Sequence, residues 1–182
     1  MADGERPAAA DEIPGDPEQD LGDPESVARA ICLRLLTQRA RSRAELAKAL
    51  TKRGMPDDAA TRVLDRFVEV GLIDDAALAA GLAQAQHRER GLARRAVAAK
   101  LRERGLGDEV EAALTGIDSD DERARAAELV QKRLRSLTGL PPEVQARRLV
   151  GLLARKGYSS GLAYAVVREA LADELALLAE RS

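Results

Sequence analysis

The sequence predicts an all-α protein of three tandem three-helix repeats forming an elongated, curved helical array. Three observations carry that prediction. No segment shows the strand-like alternation of apolar and polar positions bounded by turns. Apolar residues make up 45% of the chain, but aromatics only 2%, and tryptophan is absent. The core must therefore be built from Leu, Ala and Val, which suits closely packed helices better than a sheet. Finally, a helix-ending signature occurs three times, centred on Gly54, Gly105 and Gly157, at spacings of 51 and 52 residues.

The signature has a simple physical content. Eight residues before the glycine stands Leu46, Val97 or Leu149, and four before it Leu50, Leu101 or Leu153. Apolar residues four apart make one helix face. The residue before the glycine is basic (Arg53, Arg104, Lys156) and the one after it is large and apolar (Met55, Leu106, Tyr158). A glycine at this point ends the helix by taking the left-handed conformation without a Cβ penalty, and the apolar residue folds back onto the last turn. Nine residues after the glycine comes Val63, Leu114 or Val166.

The elements follow in order. Residues 1–22 carry Pro, Gly, Ala and acids with no apolar period, and are expected to be a disordered acidic tail. Asp23-Pro24-Glu25 starts a helix that runs to about Gln38 with Val27, Ile31, Leu35 and Leu36 as its apolar residues. Ser42-Arg43-Ala44-Glu45 is a capping box, opening a helix over 43–53. Pro56-Asp57 opens a third helix, with Ala60, Val63, Phe67 and Val70 on its inner face, up to Gly71. This completes a first unit, 23–72.

Asp74 caps a helix to about Arg90, and Gly91 breaks it. The helix ending at Arg104 follows, then a short one capped by Asp108 and running through Leu114, which completes a second unit, 73–117. Ser119-Asp120-Asp121-Glu122 reads as another capping box, opening a helix to about Leu137. Pro141-Pro142-Glu143 starts a helix to Lys156. Ser159 or Ser160 caps the last helix, which runs through Val166 and on towards Leu178, giving a third unit, 118–182, with a C-terminal extension.

Little in the chain suits catalysis. There is one histidine, His87, and one cysteine, Cys32, with no second ligand at metal-site spacing and no phosphate-binding glycine loop. No catalytic, cofactor or metal site is expected. Cys32 reads as a buried structural thiol, and His87, in the polar run Gln86-His87-Arg88-Glu89, as a surface residue. Asp74-Asp75 reads as an N-cap followed by a first-turn charge rather than a carboxylate pair. Phe67 and Tyr158 fall at core positions, which leaves little for stacking on bases. No apolar run is long enough for a membrane span and no signal peptide is apparent. A single cysteine fits a reducing cytoplasm.

Charge is the informative property. The net charge of −2 hides an asymmetry: residues 1–25 hold nine acids and one base, residues 26–182 hold 28 bases and 22 acids. In the middle copy, with Val97 and Leu101 inward, Arg95 and Arg102 fall on the opposite face. Arg88, Arg90 and Arg94 flank Gly91. The third copy adds Arg147, Arg148, Arg155 and Lys156, and the first adds Arg41 and Arg43 among others. Arg53, Arg104 and Lys156 also have a structural reason, since a base at a helix C-terminus complements the dipole. Bases recurring per repeat make a stripe that attracts DNA phosphates or an acidic protein groove, without reading sequence. The acidic tail is either a solvating segment or a DNA mimic that folds back over this stripe.

These motifs resemble those of the RecX family of regulators of the RecA recombinase. The resemblance rests on Ser42-Arg43-Ala44-Glu45-Leu46 with the Lys-Arg-Gly after it, on Gly71-Leu72-Ile73-Asp74-Asp75, and on the Arg-Gly-Leu and Lys-Gly-Tyr of the later repeats. It covers roughly residues 27–172. Where the family carries an aromatic and then an alanine after the aspartates, this chain reads Ala76-Ala77-Leu78-Ala79. The resemblance implies a non-enzymatic, monomeric protein that lodges in the groove of RecA–DNA filaments, on single-stranded and also double-stranded DNA. There it would suppress strand exchange, ATP hydrolysis and co-protease activity, and so bear on DNA repair and the SOS response. Two other readings stay open. One is a transcriptional regulator using helices 43–53 and 57–70 as a helix-turn-helix. The other is a helical-repeat scaffold for protein partners.

Overall fold

A computed structural model of the protein describes residues 22–180, and among these residues the only regular structure is nine α-helices. They are α1 (Pro24–Gln38), α2 (Arg43–Thr51), α3 (Asp57–Glu69), α4 (Asp75–Arg88), α5 (Arg94–Glu103), α6 (Val110–Leu114), α7 (Ser119–Leu134), α8 (Pro142–Arg155) and α9 (Ser160–Glu180). The acidic tail expected over 1–22 lies, but for its last residue, outside the described residues.

Local chemistry sets the helix starts. The Asp23 carboxylate accepts from the Glu25 and Ser26 amides ahead of Pro24. Both halves of the Ser42/Glu45 capping box form, at 3.1 and 3.0 Å. Asp74 accepts from the Ala77 amide at 2.8 Å. The capping box of α7 is one residue earlier than expected. Asp118 is the N-cap and accepts from the amides of Asp120 and Asp121, while Asp121 accepts in return from the Asp118 amide. Asp108 does not cap α6, which has no side-chain cap. Ser159, not Ser160, serves α9, its hydroxyl accepting from the Leu162 amide at 3.3 Å. Helices α2, α4 and α7 end two or three residues before the expected points; the chain tightens after α2 and α7, where Arg53 donates to Leu50 and Leu137 to Leu134.

Helix packing is concentrated within groups of three: α1–α3, α4–α6 and α7–α9. Each group has its own apolar core. The repeat positions build them. Leu46, Val97 and Leu149 are fully buried, as are Leu50, Leu101 and Leu153 to within 1%, and Met55 is the only half-exposed member of the post-glycine set. Cys32 and Phe67 belong to the first core and Tyr158 to the third, as expected. Val70 does not: α3 stops at Glu69, and Val70 stands half-exposed at its C-cap.

His87 is a correction. It is 6% exposed, not a surface residue. It continues the buried stripe Ala79–Ala83 by one more turn of α4, and its Nδ1 lies 2.9 Å from the Leu92 carbonyl, which satisfies the ring in the interior.

Candidate functional site

The three units meet at corners, and the repeated basic–glycine signature makes those corners. At the first joint, the end of α5 seats on the start of α2. The Ser42 hydroxyl donates to the Arg104 carbonyl at 2.6 Å. The Arg104 guanidinium donates to both Glu45 oxygens, at 3.1 and 2.6 Å, and to the Ala40 carbonyl. Gly105 has φ +73°, and a Cβ there would fall 2.3 Å from the Ala44 methyl.

At the second joint the end of α8 seats on the start of α5. The Ala93 amide donates to the Lys156 carbonyl at 2.9 Å, and Lys156 Nζ to the Arg90 carbonyl at 2.5 Å. A Cβ on Gly157 would lie 2.7 Å from the Ala96 methyl. The buried Tyr158 hydroxyl donates to the Gly91 carbonyl at 3.2 Å. Burial, then the nearby Glu122 charge, pushes this phenol up to about 12.

Carboxylates from the following unit reinforce both seats. The Arg43 amide, first in α2, donates to Asp75 of α4, and the Arg94 amide, first in α5, donates to Glu122 of α7 at 2.9 Å. Glu45 is the most strongly perturbed carboxyl among the described residues. Burial raises it, but hydrogen bonds from Arg104, Arg39 and the Ser42 amide overcome that and hold it at about 2. Glu45, Asp75, Arg104 and Glu122 were not expected to join units. The one available signal was that Asp75 and Glu122 each sit in the first turn of a unit's leading helix.

This divides the eleven expected site residues. Four have work within the fold. The Arg94 guanidinium donates to the Leu114 and Ile117 carbonyls at 2.7 and 2.5 Å, closing the end of α6. Arg41 donates to the Leu35 carbonyl at the end of α1. Arg43 pairs with Asp65 at 2.6 Å. Lys156 belongs to the second joint. The other seven, Arg88, Arg90, Arg95, Arg102, Arg147, Arg148 and Arg155, are exposed. Their guanidinium groups make no hydrogen bond or ion pair among the described residues. The second joint brings Arg155 beside the Arg90 segment and the start of α5 that carries Arg95.

No group of three or more His, Cys, Asp and Glu among the described residues is placed to hold a metal ion. No helix among them is long and apolar enough to cross a membrane. The fold and surface thus define a tandem three-helix-repeat protein whose units are joined by helix corners and whose outer faces carry exposed arginines. Family models described as RecX, first three-helix domain, and RecX, third three-helix domain, match residues 28–67 and 120–167. The regulatory protein RecX of Thermobifida fusca is 54% identical over 148 residues, spanning 81% of this chain and 80% of its own. That of Mycolicibacterium smegmatis is 50% identical over 165 residues, 88% of each chain. The crystal structure of RecX from Lactobacillus salivarius superposes with a TM-score of 0.72 at 17% identity, over 82% of this chain and 97% of that one. The chain belongs to the RecX family of regulatory proteins.

Proposed function

We propose that the protein acts in the cytoplasm as a non-enzymatic monomer that lodges along RecA–DNA filaments and inhibits recombinase, ATPase and co-protease activities. The observation that carries this reading is the set of seven exposed arginines contributed by the second and third repeats and unengaged among the described residues. Guanidinium groups that pair with no carboxylate among the described residues suit phosphates, and such contacts are independent of base sequence. Membership of a regulatory family supports a partner-directed role.

A helix-turn-helix reading of α2 and α3 fits less well. Helix α3 exposes Asp57, Asp58, Asp65 and Glu69, and its two arginines are paired, Arg62 with Glu25 and Asp58, Arg66 with Glu69. A recognition helix of that charge would repel the duplex.

The test is single-stranded-DNA-dependent ATP hydrolysis by RecA with this protein titrated in. Inhibition at well below one copy per RecA protomer is expected. No inhibition, with discrimination between duplex sequences, would favour the transcriptional reading. No inhibition and no DNA binding would leave a protein scaffold.

A further inference from the structure

The chain uses one docking mode twice, and it holds a third copy of the docking element with nothing on it among the described residues. At both joints a basic–glycine corner seats on the N-terminus of a neighbouring helix. The carbonyl before the glycine takes a hydrogen bond from that helix's N-cap residue, from the Ser42 hydroxyl in one case and the Ala93 amide in the other. An alanine in the first turn, Ala44 or Ala96, lies against the bare Cα of the glycine. The base before the glycine reaches past it to a carboxylate or a carbonyl.

The corner of the first unit, Lys52-Arg53-Gly54, has the same parts. Gly54 has φ +72°, and a Cβ built on it meets nothing within 4 Å among the described residues. Lys52, Arg53 and Gly54 are all exposed. The Arg53 guanidinium turns back to the Ala49 carbonyl of its own helix at 2.8 Å, and the Arg53 carbonyl accepts no hydrogen bond among the described residues.

The equivalent helices of a second copy, α2, α5 and α8, do not supply the missing seat. The seats of α2 and α5 are taken by the chain's own joints. The seat alanines lie ten residues before Gly54 and nine before Gly105; the corresponding positions before Gly157 hold Arg147 and Arg148. Helix α8 also starts a turn earlier, on Pro141 and Pro142.

We propose that the Arg53–Gly54 corner is a protein-docking site that takes the N-terminus of an α-helix of a different protein. That helix would present a hydrogen-bond donor at its N-cap, alanine or another small residue in its first turn, and a carboxylate within reach of Arg53. The proposal rests on the filament reading above and assigns this corner to the protein component of the filament, leaving the arginines of the later repeats to DNA.

The test compares wild type with Gly54→Asn, which keeps the left-handed backbone accessible and places an amide where the partner's first turn must sit. Binding is measured to preassembled RecA filaments on single-stranded DNA and, separately, to the same DNA bare. Gly54→Asn is expected to weaken filament binding about tenfold while bare-DNA binding and the thermal midpoint stay unchanged. Arg53→Gln, at an exposed position, is the second variant and should show the same filament-specific loss should Gly54→Asn prove unstable. Filament binding unchanged in both variants, or equal losses on filament and bare DNA, would overturn the corner and leave the filament reading standing. Failure of the wild type to bind filaments would overturn both.

Discussion

The Ser42 hydroxyl and the Arg104 carbonyl, 62 residues apart in the chain, meet in a 2.6 Å hydrogen bond. Ser42 is fully buried, and the same oxygen accepts from the Glu45 amide at 3.1 Å. One side chain therefore caps α2 and latches the second unit to the first. Ser42→Ala removes both and leaves the Arg104 carbonyl without that donor, which should cost about 2 kcal/mol. Chemical denaturation checks it; a loss of only a few tenths would show that water replaces the latch.

The Glu45 clasp makes the first joint acid-sensitive. Its carboxyl is held down from 4.5 to about 2 in the folded chain. A depressed carboxyl contributes stability that is complete above its unfolded value and lost as pH falls through the folded one. The loss should thus be spread between about pH 4.5 and pH 2, on the order of 2 kcal/mol in all. Glu45→Gln should be less stable at neutral pH and should lose part of that pH dependence, as read from denaturation midpoints at stepped pH.

Glycines with the same backbone conformation should respond differently to alanine. At Gly105 the added methyl meets the Ala44 methyl and must also hold a positive φ, for a cost of about 3 kcal/mol. At Gly54 there is only the backbone strain, about 1 kcal/mol. Thermal midpoints of the two variants measure the contact at the joint apart from the conformation.

Neighbouring arginines should separate as cleanly. Arg94→Ala frees two carbonyls at the end of α6 and should cost about 2 kcal/mol with a fall in thermal midpoint. Arg95→Ala should stay within about 0.5 kcal/mol of wild type. Charge reversal at Arg95 and Arg102 together should leave the helical circular dichroism intact and weaken binding to RecA–DNA filaments. Unfolding on that double reversal would show that the two residues do not lie on an outer face.

Much of this was legible in the sequence because it is local. The apolar positions counted from each glycine are, but for Met55, buried, and Arg95 and Arg102, opposite Val97 and Leu101, are exposed. What stayed hidden depends on contacts between separate helices. Arg94 and Arg95 look alike in their own helix, and only the end of α6, 20 and 23 residues onward, distinguishes them. The base before the glycine reads as a partner for helix-end carbonyls. That holds for Arg53, which reaches back to Ala49, but Arg104 and Lys156 reach across to the preceding unit. His87 sits among polar neighbours in sequence, and the stripe from Ala79 through Ala83 places it inside.

Because helix packing is concentrated within each unit, most tertiary contacts join residues close in sequence. Low contact order of this kind favours rapid folding, and nearest-neighbour coupling lets folding nucleate in any of the three units and spread. The corners then act as the propagation step. Changes at Ser42, Glu45 or Gly105 would lower the cooperativity between units before they abolish any one of them, so that a single unfolding transition broadens or divides while each unit keeps its own nucleus.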